Sequence, residues 1–287
     1  MAARKLHLSQ PAVSVQIQSL EEHFKVQLFL RTGKRIVLTD AGRDLIPLAR
    51  EMFNLSARIE ETMSVQQGIV KGKIQIGCST STGKYMLPHL IGAFRRKYPN
   101  VQVAVQMMSR EAIEEKLLAK QAHLGLLSLA SKHKELDCVP IFSDDLILIV
   151  GSTHPWASRE NISPPELKTS DWILREGGAA TRQLVAQKLA DYDVTVNELN
   201  VAMELGSVEA VEQAVQAGHG VAFASRIAVK SGLEIGRIKM VRVTGLTLRR
   251  PIFLAHNKTR PSSCAQARFQ EFIQSDDGQQ VIACIIK

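Results

Sequence analysis

Apolar residues recur along the first quarter of the chain at helical spacing, and beyond residue 72 they fall into alternating strand-like and helix-like blocks. Val13, Ile17, Leu20 and Phe24 stand four, three and four apart. That spacing predicts a helix over 9–24 with one apolar face. Ser9 is placed to cap it, and Pro11 falls in its first turn, where a missing N–H does no harm. The other side offers Gln10, Ser14, Gln16 and Gln18, short side chains able to hydrogen-bond base edges. Residues 26–38 read as a two-stranded ribbon. Its turn, Thr32-Gly33-Lys34, is flanked by Arg31 and Arg35, suited to phosphates. Thr39-Asp40-Ala41-Gly42 opens a further helix running to about residue 67. Within it Leu45, Leu48, Met52, Leu55 and Ile59 alternate three and four apart. Such a seam packs against a partner helix or against its own domain; the length of the stretch and its place between domains favour the partner.

Residues 68–72 carry two glycines and a lysine and read as a hinge. After it come a strand over 73–77, a helix over 82–98, a strand over 101–107, a helix over 111–120 and an apolar strand over 122–129. A second series has strands at 146–150 and 172–174, a helix at 180–189, a strand at 201–204, a helix at 208–217 and a strand at 221–224. A strand at 252–255 and a helix at 264–274 close the chain. Strands alternating with helices imply parallel sheets in an α/β fold. Two such series in tandem suggest two subdomains with a ligand cleft between them. The expected domains are 1–42, a linker and dimerisation segment over 43–71, and 72–287. The last divides into about 72–144 with 253–287, and about 145–252.

Composition narrows the function classes. The chain has 287 residues, 45% of them hydrophobic, and a net charge of +8. Residues 1–50 hold eight Lys and Arg against four Asp and Glu; residues 226–268 hold ten against Glu234 alone. The first cluster suits a polyanionic partner. The second reads mainly as a solvated basic face. No apolar run reaches the ~18 to 20 residues that span a bilayer, and residue 1 onward shows no apolar signal segment, so a cytoplasmic protein with no membrane partner is expected. Cys78, Cys138, Cys264 and Cys284 form no CxxC and have no His at zinc-ligand spacing; free thiols are expected, with Cys78 a small buried hydrophobe or, less expectedly, a redox group. His89, His123 and His219 are scattered. There is no HExxH, GxSxG or phosphate-loop lysine motif. Neither a catalytic residue set, a metal site nor a cofactor is expected.

Two stretches, AARKLHLSQPAVSVQIQSLEE and the LF-x-R and LTDAG run that follows it, closely resemble the N-terminus of LysR-type transcriptional regulators. GKIQIG, LPHLIGAFRRKYPNVQV and ELGSVEAVEQAVQAGHGVAFASR extend the resemblance over the whole chain. It implies an N-terminal winged helix-turn-helix, a linker helix, and a two-subdomain effector domain like a periplasmic binding protein. Carried over residue by residue, Ser9, Gln10, Pro11, Ser14 and Gln18 would face DNA, with Arg31 and Arg35 in the wing. The family has a further helix ahead of AARKLH, packed under the recognition helix, and commonly an acidic residue where Leu30 stands. Met1 is therefore expected not to be the natural start.

Ser79, Thr80 and Ser81 follow a strand and open a helix, an arrangement of hydroxyls and free N–H groups that suits an anion; simple capping of that helix must account for at least one of them. In the family this loop binds effector. The segment Arg175-Glu176-Gly177-Gly178-Ala179-Ala180-Thr181-Arg182 resembles one found in members that answer to small anions, such as regulators of sulphur assimilation and carbon fixation. Here Gly178 stands where proline is common and Ala179 where serine is common. Thr181 and Arg182 offer side-chain donors, and Ser128 and Ser207 either line the cleft or serve turns and caps. The expected function is a DNA-binding transcriptional regulator, not an enzyme, acting as a homodimer or homotetramer on double-stranded DNA under a small anionic effector. The alternative is a ligand-binding protein of solute-binding type without productive DNA binding.

Overall fold

A computed structural model describes residues 2–33 and 35–286, with Ala2, Lys5, Arg31, Thr32 and Arg35 described by backbone alone. The chain forms two compact units, Met1–Met63 and Ser64–Lys287. The first opens with α1 (Ala2–Lys5) and α2 (Gln10–Phe24), followed by the antiparallel hairpin β1 (Phe29–Thr32) and β2 (Arg35–Leu38), and then by α3 (Asp40–Val65). Ser9 caps α2 by accepting from the Ala12 N–H at 3.3 Å. Lys25 ends the helix in the left-handed region, φ 54°. The Glu21 carboxylate then accepts from the N–H groups of Leu28 and Phe29 at 2.7 and 3.0 Å. That pair fixes the hairpin to the end of α2.

The LTDAG run has a specific task. Thr39 donates from its hydroxyl to the Gln27 carbonyl at 2.7 Å and accepts from the Gly42 N–H at 2.9 Å. Its own N–H reaches the Leu28 carbonyl. Gly42 packs so closely that a Cβ there would lie 2.2 Å from the Leu28 carbonyl oxygen. Leu28 is the one large apolar side chain of this unit that is buried among the described residues. The expected apolar face of α2 buries nothing: Val13 and Ile17 are half-buried, Leu20 and Phe24 exposed. Along α3, Leu45 is half-buried while Leu48, Met52, Leu55 and Ile59 are exposed, Met52 to 65%. Those four do not pack against their own domain.

In the second unit come β3 (Gly72–Cys78), α4 (Thr80–Tyr85), α5 (Leu87–Lys97), β4 (Val101–Met107), α6 (Arg110–Leu118) and β5 (Leu124–Leu127). Then β6 (Leu136–Gly151), β7 (Asn161–Ile162), β8 (Asp171–Arg175), α7 (Ala180–Ala190), β9 (Asn200–Leu205), α8 (Val208–Gln216) and β10 (Ala222–Ser225) follow. The chain ends with α9 (Lys230–Glu234), β11 (Ile238–Val243), β12 (Leu248–Asn257), α10 (Cys264–Gln274) and α11 (Asp276–Ile286). The main sheet runs β4-β3-β5-β12-β6-β11-β7, with β10 also on β6; β8 and β9 pair separately.

The expectation of parallel sheets holds only in part. The pairs β3–β4, β3–β5 and β8–β9 are parallel. β6 and β12 are antiparallel to each other over ten residue pairs, and β10 and β11 are antiparallel to β6. The reason is connectivity. β6 carries the chain out of the first half and β12 brings it back, so the two crossings run in opposite directions. One core holds Ile74, Leu90, Phe94, Leu124, Phe269 and Ile282; another holds Leu148, Trp172, Leu189 and Phe223. Phe94 meets Phe269 edge to face at 4.9 Å. The helix expected over 82–98 is two helices, because Pro88 lacks an N–H and its ring would strike the Lys84 carbonyl one turn back. Strand β11, helix α11 and the first half of β6 were not expected.

We predict that Gly42→Ala displaces the hairpin without touching the second unit. Hydrogen exchange should speed up across β1 and β2 while β3 and β5 keep wild-type protection; unchanged exchange in the hairpin would refute this.

Candidate functional site

Four strands end at one cavity of about 470 Å³ in the second unit. After β3 come Ser79, Thr80 and Ser81; after β4, Met108, Ser109 and Arg110. Ser128 follows β5, and Arg175 with Glu176 closes β8. Thr181 and Gln183 of α7 and Arg250 of β12 complete the wall. Strand ends are where open α/β sheets bind ligands. The first residues of α4, α6 and α7 all line this cavity, so three sets of helix N-terminal N–H groups open onto it. Ser109 accepts from the Ala112 N–H and so caps α6. Ser79 stands at the cap position of α4 but bonds the Thr82 hydroxyl at 3.0 Å instead. Ala179 leads into α7 with no side-chain cap.

At the base lies a buried ion pair. Arg250 is 5% exposed and Asp144 is 3% exposed. They face each other in register across β12 and β6. One terminal nitrogen of Arg250 bonds Asp144, and the other donates to Thr181 Oγ1 at 3.2 Å. Ser225 donates to the second carboxylate oxygen of Asp144 at 2.9 Å. Arg250 Nε is buried and has no partner among the described residues. Burial pushes the Asp144 carboxyl above its ordinary value, against the pull of Arg250. The surrounding rim cations are already paired: Arg110 with Glu114 and Arg175 with Glu176.

The structure thus brings together Ser79, Thr80, Ser81, Ser128 and Thr181. Two expected residues lie elsewhere. Arg182 turns away to the Arg175 carbonyl and the Glu204 carboxylate, and is not part of the cavity wall. Ser207 caps α8, accepting from the Ala210 N–H at 3.1 Å. Sequence reasoning missed Arg250, because it sits in the basic run over 226–268. Arg226, Arg242, Arg249 and Lys258 there are exposed as expected, but Arg250 points inward. Its signal was the strand alternation Leu248-Arg249-Arg250-Pro251-Ile252, which puts neighbouring arginines on opposite faces. Cys78 is buried, and burial raises its thiol to about 12, so it acts as a small apolar side chain.

A clasp lies at the other end of α4. Glu209 of α8 accepts from Lys84 at 2.7 Å and from the Tyr85 hydroxyl at 2.8 Å. Burial pushes the Glu209 carboxyl up, but hydrogen bonds from Lys84, its own backbone and Tyr85 outweigh it and hold it at about 2. Burial and the same carboxylate raise the Tyr85 hydroxyl.

In the first unit, Gln10, Ser14 and Gln18 are spaced four apart on α2 and all three are exposed, as is Pro11. Gln18 also donates to Glu22 at 3.1 Å. Ser9 is engaged as a cap. Arg31 and Arg35 lie near the hairpin tip, one on each strand; their side chains lie outside the described residues. Between α2 and the hairpin runs a groove of about 860 Å³ walled by Leu8, Val13, Ile17, Phe29 and Ile36.

Comparison with known proteins fits this layout. Residues 67–277 match the LysR substrate binding domain, and residues 1–43 match the bacterial regulatory helix-turn-helix protein, lysR family. The chain belongs to the LysR family of transcriptional regulators. It is 33% identical over 275 residues to a probable RuBisCO transcriptional regulator of Cyanophora paradoxa, covering 95% of this chain and 85% of that one. Among solved structures, a mutant OxyR of Corynebacterium glutamicum covers 99% of this chain and 88% of its own, with TM-score 0.68 and 22% identity, a likeness of fold. The regulatory domain of CcmR from Synechocystis PCC6803, in complex with 2-PG, covers 71% of this chain and 96% of its own, with TM-score 0.65 and 25% identity. As a LysR-family regulator the chain carries a DNA-binding and an effector-binding domain and is not an enzyme. The solute-binding alternative does not account for residues 1–43. No helix among the described residues is long and apolar enough to cross a membrane.

Removing Arg250 should leave Asp144 buried without its countercharge. We expect Arg250→Met to lower unfolding stability by about 3–5 kcal/mol in urea titrations. The double variant Asp144→Asn, Arg250→Met should recover part of that loss. Equal midpoints for wild type and single variant would show that the pair is not the keystone.

Proposed function

We propose that this LysR-family regulator reads its operator with α2 and is switched by a small anion held in the 470 Å³ cavity. The observation that carries the reading is Arg250. The buried Arg250, whose Nε has no partner among the described residues, lines a cavity faced by the first residues of three helices. Such a site favours negative charge. Ser79, Thr80, Ser81, Ser128 and Thr181 supply hydroxyls to orient the ligand. The 2-PG complex of CcmR supports an anionic ligand in the corresponding domain. Gln10, Ser14 and Gln18 would contact base edges, with Ser9 and Pro11 setting the entry of α2 and Arg31 and Arg35 meeting phosphates. The exposed seam Leu48, Met52, Leu55 and Ile59 supports a homodimer joined through α3, the symmetry that paired half-sites require, and a dimer of such dimers extends it to a tetramer. A DNA target supports a cytoplasmic location.

Fluorescence anisotropy with a DNA fragment from its own upstream region should show binding that weakens steeply with salt. Gln10→Ala should cost about 1–3 kcal/mol on that fragment and little on random DNA. Equal loss on both sequences would remove Gln10 from base reading. For the effector, titration calorimetry with 2-PG, phosphate and sulfate should give saturable heat with at least one anion. Thr181→Val should weaken it severalfold. Heat from neutral or cationic ligands alone would overturn the anionic assignment.

A further inference from the structure

The second unit holds another hollow, larger than the cavity described above. It is a groove of about 860 Å³ between α5, α11 and the segment from Ile227 to Glu234. Its apolar floor is Ala93, Ile227, Phe272, Val281 and Ile285. Phe272 is buried, and the other four are partly covered against the neighbouring core. Its rim is mainly basic. Lys84 is held by Glu209, and Lys97 lies 3.6 Å from Asp277. His89, Arg96 and Lys230 also stand on the rim, and their side chains make no hydrogen bond or ion pair with a described residue. Against them the wall sets Glu234 and the already engaged Asp277.

An apolar trough with surplus cations at its edge matches one ligand chemistry. A compact hydrophilic anion gains nothing from Phe272 and Val281, and leaves most of the volume to water. A neutral hydrocarbon leaves the rim cations unanswered. Pockets of roughly 300–1,000 Å³ with an apolar floor and a few convergent polar groups are typical of small-molecule sites. We propose that this groove binds an amphipathic organic carboxylate, its apolar part on Ile227, Phe272 and Val281 and its carboxylate toward Lys230, Arg96 and His89. The site is separate from the 470 Å³ cavity, with which it shares no wall residue. It draws on both halves of the effector domain: α5 and α11 from the first, and the Ile227 to Glu234 segment from the second.

The test uses sodium octanoate titrated calorimetrically into the full chain. Saturable binding of one octanoate per chain is expected. Lys230→Glu and, independently, Arg96→Glu should each weaken it about tenfold, while Thr181→Val in the other cavity leaves it unchanged. Inorganic phosphate should not compete for the octanoate site. Thermal melts of both charge-reversal variants check that they fold, and either variant alone suffices. Three results would overturn the proposal. One is the absence of saturable binding into the millimolar range. Another is a loss caused by Thr181→Val but not by either charge reversal, which places octanoate in the other cavity. The last is octanoate binding unchanged in both charge-reversal variants while sedimentation shows a shifted oligomeric state, which makes the groove a seat for a second copy of the chain.

Discussion

The contact between Asp144 and Arg250 joins the two strands on which the effector domain is built. β6 and β12 are the chain's outward and return crossings between two separate cores, and these two residues pair in register at the middle of β6 and near the start of β12. Burial makes the arrangement unforgiving. A lone charge at either position would be expensive, whereas the pair, completed by Ser225 and Thr181, satisfies most of its polar atoms. Arg250 Nε stays without a partner among the described residues, and Arg250 itself lines the cavity. The group that ties the halves together therefore also supplies the positive floor of the site between them.

Local chemistry made much of this legible in advance. Ser9 and Pro11 start α2 as their residue types dictate, and Thr39 with Gly42 marks the start of α3 for reasons that the Leu28 carbonyl now makes plain. The loop hydroxyls Ser79, Thr80 and Ser81 lie on the cavity because a strand ending in small polar residues before a helix can lead nowhere else in an α/β layout. Thr181 was found through its glycine-rich approach. Its neighbour Arg182 was not separable from it by sequence, since one residue of helical rotation decides between cavity and surface.

The misses share a cause. The sequence pattern shows β6 only at Leu146-Ile147-Leu148-Ile149-Val150, because the stretch before it carries Pro140, Ser143, Asp144 and Asp145 and does not look like a strand. That polar stretch is where the strand crosses between cores and meets Arg250. Antiparallel pairing escaped notice for a related reason: alternating strands and helices reveal that a sheet exists, but not that the chain leaves one half and comes back. For Ser207 the sequence leaves cleft lining and capping open, and its hydroxyl serves the backbone of α8, a competition that residue type alone does not resolve.

The crossing topology also sets an order in time. Residues of the first core come from both ends of the second unit: Phe94 is early in it, while Phe269, Phe272 and Ile282 come more than 170 residues later. The second core draws only on residues between Leu146 and Leu248. A ribosome therefore releases the material for the second core before the first can close. Until α10 and α11 emerge, Phe94 and Leu90 have no lid, and β5 lacks its neighbour β12. Such sequence-distant closure is slow and leaves apolar surface waiting. The earliest-made half of the effector domain is thus finished after the half that follows it, and its folding is hostage to α10 and α11.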